Sequence, residues 1–200
     1  MRKLVSVSLA AVVLLAACKR GEKAASTTAP AAATTSSAAT TSTGAEPASR
    51  GAAAAEPAAL DVGSTMPEYA ATSLDGSKFE LTSHRDKVVL LNIWATWCGP
   101  CRYEIPELQT LQSKYGARGF EVVGISVDEG APDSVKQFVA QNKMTYPVAI
   151  DAEGRIAGLF QTSVLPTSAI VDRSGRVIWK KYGAIEPNDD ELRQAIEKSL

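Results

Sequence analysis

The sequence predicts an α/β domain built on a mixed β-sheet over residues 60–200. The first observation is a pair of apolar runs of strand length, residues 87–94 and 119–127, separated by a segment whose apolar residues have helical spacing. This order is typical of two buried parallel strands joined by a crossover helix. The second observation is two turn sequences, Asp75-Gly76 and residues 172–175, which each separate short strand-like segments and indicate antiparallel hairpins.

Each further element follows from a local pattern. The helix after the first apolar run is expected to begin at Cys98, because Pro100 is favoured in a first turn, and to end near Gly116. Pro106 inside this helix is expected to kink it. In chain order the remaining elements are hairpin strands at 68–73 and 78–81, a helix at 132–143, a strand at 146–151, a helical turn or two at 154–160, hairpin strands at 167–171 and 176–182, and a closing helix at 188–200.

Charge and hydropathy exclude two classes of protein. The 200 residues carry 21 Lys+Arg and 22 Asp+Glu, for a formal net charge of −1. Because no basic excess exists to neutralise phosphates, binding of nucleic acid through bulk charge is excluded. A membrane protein with several spans is also excluded, since only one long apolar run occurs, at residues 4–17.

The first 18 residues resemble a bacterial lipoprotein signal. Two basic residues follow Met1, an apolar run covers residues 4–17, and Leu15-Ala16-Ala17 directly precede Cys18. The run is short for a bilayer span, which needs about 20 residues, but it suits a secretory signal. The resemblance implies that residues 1–17 are removed and that Cys18 is lipidated, which would anchor the protein to a membrane. An ordinary cleaved signal with an incidental cysteine is the open alternative.

Residues 18–59 are predicted to form a disordered tether. Residues 19–59 contain no Val, Ile, Leu, Met, Phe, Trp or Tyr, and Ala, Ser and Thr supply 28 of these 41 positions. Such a segment cannot bury enough apolar area to offset the entropy of ordering. A random coil of about 40 residues spans roughly 35 Å, which would let a folded domain move over a membrane surface.

Cys98 and Cys101 are interpreted as a redox pair. A bridge across two intervening residues closes a very small loop and contributes little stabilisation through chain entropy. Structural zinc normally needs four ligands, and the sequence offers no second cysteine pair and one histidine, His84, in a polar segment that predicts a loop. No metal or other cofactor is therefore predicted.

The two cysteines are expected to have different roles. Cys98 lies at a predicted helix N-terminus, where unpaired N–H groups and the helix dipole favour a thiolate. We expect Cys98 to be exposed and to attack a substrate disulfide. Cys101 lies one turn further into the helix, and we expect it to be more buried and to resolve the mixed disulfide.

The octapeptide from Trp94 to Cys101, Trp-Ala-Thr-Trp-Cys-Gly-Pro-Cys, stands between a buried strand and a helix. In this setting it resembles the active site of the thioredoxin superfamily, and the resemblance covers residues 60–200. The family implies a thioredoxin-like three-layer fold with a central mixed sheet and helices on both faces. The extra N-terminal hairpin and the inserted helix and strand after the second apolar run resemble the TlpA/ResA branch, whose members are extracytoplasmic, membrane-tethered thiol–disulfide reductases.

The resemblance implies two site residues downstream of the cysteines and one beside them. Pro166 stands where the family has a cis-proline facing the cysteines, and Leu165 before it would pair its backbone with a substrate chain. Glu104 matches a glutamate expected to tune thiol protonation near the resolving cysteine. A solvated helix face is the alternative interpretation of Glu104.

The resemblance also bears on the residues around the dithiol. Trp97, Gly99 and Pro100 are expected to contribute to the substrate-binding surface. Asn92 occupies the position where cytoplasmic thioredoxins have a buried aspartate, and this departure favours the extracytoplasmic branch. Because an amide cannot carry a proton to or from Cys101, that transfer would use water or Glu104.

The implied function is reduction of disulfides in exported proteins, such as apocytochrome c, with electrons delivered by a membrane protein similar to DsbD or CcdA. The Gly-Pro dipeptide resembles that of reducing thioredoxins, for which about −270 mV is typical. A peroxiredoxin-like peroxidase is one alternative, but Leu91 and Ala95 stand where that family's motif has Pro and Thr. A non-enzymatic copper or thiol chaperone is the other, but no histidine follows His84.

Overall fold

Seven β-strands form one mixed sheet in the computed structural model of the protein, which describes residues 58–200. In chain order the strands are β1 Ala70–Ser73, β2 Lys78–Glu80, β3 Val88–Trp94, β4 Phe120–Ser126, β5 Val148–Ile150, β6 Thr167–Val171 and β7 Val177–Tyr182. Their order across the sheet is β2-β1-β5-β4-β3-β6-β7. β4 is parallel to β3 and to β5, and the other neighbouring pairs are antiparallel. The predicted α/β fold with a mixed sheet is confirmed.

Helices cover both faces of this sheet. In the described part of the chain they are α1 Gly99–Tyr115, α2 Pro132–Gln141, α3 Arg155–Leu159 and α4 Asp190–Ser199. The core on one face includes Leu108 of α1, Val135 of α2 and Leu192 of α4. The core on the other face includes Ile156 of α3 and Met66, which precedes β1. The three-layer arrangement is therefore as predicted.

β3 is an interior strand of the sheet and positions the cysteine loop. Successive side chains of a strand point to opposite faces. Leu90 and Trp94 accordingly pack in one core, and Leu91 and Ile93 pack in the other. Since β3 pairs with β4 on one side and β6 on the other, the loop that leaves its carboxyl end starts between those two strands.

The predicted insertion extends the sheet on the β4 side. β5 pairs in parallel with β4 and in antiparallel with β1, so it stands between the central strands and the N-terminal hairpin. The hairpin itself is formed by β1 and β2, with Ala71 opposite Phe79. Both additions therefore lie on the side of the sheet away from β6 and β7.

Two helix boundaries differ from the sequence prediction by two residues, and backbone geometry explains both. α2 ends before Lys143, whose φ of 51° is in the left-handed region and does not continue a helix. α4 begins after Asn188, whose φ is 62°. Asp189 then caps α4 by accepting a hydrogen bond from the N–H of Leu192 at 3.0 Å.

Gly124 in β4 leaves space for two buried rings. A Cβ atom at this position would lie 2.9 Å from Nε1 of Trp94 and 3.3 Å from Cε2 of Tyr146. Because both rings are buried in a close-packed core, they cannot retreat without repacking. We expect Gly124→Ala to lower the free energy of unfolding by about 1–3 kcal/mol, measured by urea denaturation.

Gly158 in α3 provides the matched control for Gly124. A Cβ atom at Gly158 would meet nothing within 4 Å, so Gly158→Ala should not destabilise the protein. Equal stability of the two alanine variants would show that β4 has room for a side chain beside Trp94.

The segment before β1 pairs with the first residue of β7, Val177, at the outer edge of the sheet. The N–H of Gly63 donates to the carbonyl oxygen of Val177 at 2.8 Å, and the N–H of Val177 donates to the carbonyl oxygen of Ser64 at 2.9 Å. An edge strand with bonded N–H and C=O groups is protected from pairing with another chain.

Several sequence predictions fall on residues that the structure does not describe. Three of them lie there: the predicted signal at 1–17, the predicted lipidation site Cys18 and the predicted tether as far as residue 57. No helix within residues 58–200 has both the length and the hydropathy needed to cross a bilayer.

Candidate active site

Cys98 and Cys101 form a disulfide at the beginning of α1, with their Cα atoms 5.3 Å apart. Cys98 is the residue that caps the helix, and its Sγ accepts a hydrogen bond from the N–H of Cys101 at 3.2 Å. Pro100 lies in the first turn, where its missing N–H leaves no bond unmade. After reduction, the N–H of Cys101 and the helix dipole would favour a thiolate on Cys98.

The prediction that Cys98 is exposed is wrong for this disulfide form. Cys98 is 5% exposed and Cys101 is 2% exposed, so the first cysteine is only slightly more accessible than the second. The physical reason is that the Sγ of Cys98 turns inward, where it bonds to Cys101 and accepts its N–H. Both side chains belong to the core cluster that also contains Ile105.

Exposed residues surround the pair along the chain. The residue before Cys98 is Trp97, which is 70% exposed even though it is a large aromatic residue. Gly99 and Pro100, between the two cysteines, are also exposed. The sequence-predicted substrate surface is therefore open to solvent beside a disulfide that is itself largely covered.

Leu165 and Pro166 lie at the same end of the sheet as this loop. Thr167, the first residue of β6, stands opposite Ile93, so the two residues before it stand beside the end of β3. The peptide bond between Leu165 and Pro166 is cis. Pro166 is buried, whereas Leu165 is half-buried and packs against the core cluster that contains both cysteines.

Glu104 of α1 has a buried side chain, and each of its carboxylate oxygens accepts a hydrogen bond. It is 1% exposed, so the alternative of a solvated helix face is wrong. Oε1 accepts from Nδ2 of Asn92 at 2.7 Å, and Oε2 accepts from the N–H of Ile185 at 2.8 Å. Burial outweighs these bonds and the positive charge of Lys181, and it raises the pKa of Glu104 to about 7.

Asn92 joins Glu104 to the neighbouring strand. Its Nδ2 donates to Glu104 and also to Oγ of Ser168 at 3.0 Å. The amide therefore uses both of its donor hydrogens inside the core and orients the carboxylate below α1. Glu104 is the titratable member of this group, because Asn92 and Ser168 do not ionise in the neutral pH range.

His84 lies away from the cysteines, and its predicted place in a loop is wrong. It ends a short 3-10 helix, Leu81–His84. Its Nδ1 lies 2.5 Å from Oε2 of Glu121, and its ring packs against Phe79. Within residues 58–200, no three His, Cys, Asp or Glu side chains are grouped so that they could hold a metal ion.

Asp128 is hydrogen-bonded to the loop before Cys98 and was not predicted from the sequence. Asp128 follows β4, is 7% exposed, and accepts hydrogen bonds from both the N–H and the hydroxyl of Thr96. The available signal was its position just beyond a parallel strand, at the edge of a sheet where such loops meet. No pattern in the sequence identifies Thr96 as its partner.

Residues 61–196 match a sequence profile of the family described as Redoxin. The chain belongs to the redoxin family. This redoxin is also similar to "Thiol-disulfide oxidoreductase ResA" of Bacillus cereus, with 37% identity over 139 residues that cover 70% of this chain and 79% of the relative.

Solved structures show the same likeness. One is a "thiol:disulfide interchange protein, thioredoxin family protein" from Chlorobium tepidum TLS, with a TM-score of 0.60, 29% identity, and coverage of 70% of this chain and 99% of that chain. Another is a "Secreted Thiol-disulfide Isomerase" from Corynebacterium glutamicum, with a TM-score of 0.60, 30% identity, and coverage of 66% of this chain and 83% of that chain.

These likenesses confirm the predicted family and type of reaction. The redoxin is a thiol–disulfide oxidoreductase of the TlpA/ResA type within the thioredoxin superfamily. The roles assigned to Glu104, Trp97, Leu165 and Pro166 stay predictions, because likeness of the whole domain does not test individual side chains.

Proposed function

We propose that this redoxin is a membrane-tethered extracytoplasmic enzyme that reduces disulfides of exported proteins. The observation that carries the proposal is the disulfide between Cys98 and Cys101 at the N-terminus of α1, next to the exposed Trp97. Similarity to ResA supports the same chemistry. The Gly-Pro dipeptide supports the reducing direction, because it resembles that of thioredoxins with a potential of about −270 mV.

The reaction begins with the reduced protein. The thiolate of Cys98 attacks one sulfur of a substrate disulfide, and the other substrate sulfur leaves as a thiolate that takes up a proton. Cys101 then loses its proton and attacks the Sγ of Cys98, which releases the second substrate thiol. Two electrons pass from the dithiol to the substrate, and the protein is left with the Cys98–Cys101 disulfide.

Glu104 is proposed to handle the proton of Cys101. It lies three residues further along α1, so both side chains lie on the same face of the helix. A carboxyl group with a pKa of about 7 holds and releases a proton within the neutral pH range, which is what a proton acceptor at this step requires.

The proposed location and partners come from the sequence and from one relative. The lipoprotein-like segment ending at Cys18 and the tether after it support attachment to a membrane. The relative from Corynebacterium glutamicum is described as secreted, which supports a place outside the cytoplasm. A reductase in an oxidising compartment needs electrons from across the membrane, so the donor is proposed to be a DsbD- or CcdA-like membrane protein, and apocytochrome c is a proposed substrate.

Reduction of insulin disulfides tests the activity. With dithiothreitol as the electron source, each molecule of the full chain should reduce many insulin molecules. Equilibration with glutathione should give the Cys98–Cys101 pair a reduction potential closer to −270 mV than to −200 mV. For this two-electron couple, a difference of 30 mV corresponds to about 1.4 kcal/mol.

The alternatives give different results in the same preparation. A peroxidase would consume hydrogen peroxide rapidly while reducing insulin slowly. A copper chaperone would retain Cu(I) tightly and turn over less than once per molecule. A potential near −200 mV with rapid insulin reduction would overturn the reducing direction and favour an oxidase or isomerase.

A further inference from the structure

A buried carboxylate holds the loop between β3 and Cys98. Asp128 accepts three hydrogen bonds from one residue, Thr96. The N–H of Thr96 lies 3.2 Å from Oδ1 and 2.9 Å from Oδ2, and its hydroxyl donates to Oδ1 at 2.6 Å. Because the carboxylate is 7% exposed, water competes little for these bonds.

The carbonyl oxygen of Thr96 is held from the opposite direction. Arg102 of α1 donates to it from Nε at 3.1 Å and from Nη2 at 2.7 Å. The guanidinium of Arg102 also lies over the ring of Phe138 in α2, 5.2 Å from its centre. The N–H and hydroxyl of Thr96 are therefore bonded to Asp128, and its carbonyl oxygen is bonded to Arg102.

Asp128 is itself fixed in place. The hydroxyl of Ser126, the last residue of β4, donates to Oδ2 of Asp128 at 2.7 Å, and the N–H of Asp128 donates back to that hydroxyl at 3.2 Å. The N–H of Val127 also donates to the carbonyl oxygen of Trp94 at 2.9 Å. The end of β4 is thus a rigid support for the loop that leaves β3.

We propose that Asp128 is a positioning residue for thiol–disulfide exchange, which acts by holding Thr96 and hence Trp97 and Cys98 in the geometry that a protein substrate meets. The disulfide is one restraint on Cys98, and it is lost each time the protein is reduced. The contacts between Asp128, Thr96 and Arg102 involve no sulfur, so they persist in the dithiol form. They would act in either direction of exchange and do not depend on the protein being a reductase.

The experiment compares a protein disulfide with a small one. The full chain is reduced, and its second-order rate constants with insulin and with glutathione disulfide are measured. Insulin must fit against the loop as well as the sulfur, whereas glutathione disulfide mainly needs access to the thiolate. A residue that only stabilises the fold would leave the ratio of the two constants unchanged.

Four variants are compared with the unmodified chain. Asp128→Asn keeps the size of the side chain but turns one of its acceptors into a donor. It should lower the rate constant with insulin about tenfold, while the rate constant with glutathione disulfide should stay within about twofold of that of the unmodified chain. Thr96→Val removes one of the three contacts and should lower the insulin constant about threefold. Thr96→Ser restores the hydroxyl and should match the unmodified chain. Asp133→Asn, at a side chain that is 90% exposed, is the matched control.

The proposal is overturned if Asp128→Asn and Thr96→Val both keep the insulin constant within about twofold of the unmodified chain. It is also overturned if the insulin and glutathione constants fall by the same factor, because the carboxylate would then act on the sulfur or on the fold as a whole, and not on how the loop meets a protein substrate. Should Asp128→Asn fail to fold, the pair of Thr96 variants decides the question, since loss with valine and rescue with serine are both required.

Discussion

Cys98→Ser is expected to abolish thiol–disulfide exchange. The hydroxyl of serine is far less acidic than a thiol and cannot form a disulfide, so neither the attack nor the mixed disulfide is possible. Loss of a nucleophile from an enzyme costs many orders of magnitude, and insulin reduction should fall by roughly a thousandfold or more, to the rate of dithiothreitol alone.

Cys18→Ser is the matched control for this substitution. It replaces the one cysteine of the sequence outside the pair, at the predicted lipidation site. It should leave the rate of insulin reduction by detergent-solubilised protein unchanged. Substantial insulin reduction by Cys98→Ser would contradict the assignment of the attacking thiol. Loss of activity in Cys18→Ser would show that the exchange uses a sulfur outside the pair.

Glu104→Gln is expected to change how stability depends on pH. Burial raises the pKa of Glu104 from 4.5 to about 7, so between these values the folded protein keeps a proton that the unfolded chain releases. The free energy of unfolding of the unmodified protein should therefore fall as the pH rises through this window, by up to about 3 kcal/mol. Urea denaturation of the oxidised protein at pH values of about 4.5, 6 and 8 measures this slope, which Glu104→Gln should lack.

The same substitution should alter the exchange rate. If Glu104 accepts the proton of Cys101, the pH profile of insulin reduction has an inflection near pH 7 that is missing in Glu104→Gln. Glu68→Gln, at an exposed carboxylate, should leave both pH profiles unchanged. A glutamine variant with the stability slope of the unmodified protein would contradict a buried, proton-holding carboxyl group.

The fold could be predicted because its central elements are determined by short stretches of sequence. The apolar run that forms β3 is long enough for a strand and too short for a typical helix, and all seven of its residues are buried. Pro100 fixes the start of α1 through its own covalent geometry. The end of α2 and the beginning of α4 were less predictable, because each lies beside a residue with positive φ, Lys143 or Asn188, and residues other than glycine seldom adopt such a φ.

The residues of the site were predicted from local spacing and from the family resemblance, but the contacts between distant segments that hold them were not. Cys98 and Cys101 are three residues apart, so their pairing follows from this spacing and from the lack of a second cysteine pair that could complete a zinc site. The buried carboxylate of Glu104 accepts hydrogen bonds from the N–H of Ile185, which is 81 residues away, and from Asn92, which also donates to Ser168 of β6. No local sequence pattern predicts such contacts, and none predicts the hydrogen bonds between Asp128 and Thr96.

The covered position of Cys98 has the same origin. A helix N-terminus predicts that its sulfur is stabilised as an anion, but not how deeply it lies. Its depth follows from the inward turn of Sγ toward the N–H of Cys101 and from packing within the core on this face of the sheet. Exposure at the site is supplied instead by Trp97 and the Gly-Pro dipeptide.

Intact-protein mass spectrometry of Cys101→Ser shows which cysteine attacks a disulfide and which one resolves it. The reduced variant is mixed with glutathione disulfide, and the modified cysteine is located by peptide mapping. If Cys98 attacks and Cys101 resolves, Cys98 should carry one stable glutathione, whereas the unmodified chain should carry none and be oxidised to its internal disulfide. The assigned roles would be contradicted if Cys98 carried no glutathione in Cys101→Ser. They would also be contradicted if Cys101 captured glutathione equally well in Cys98→Ser.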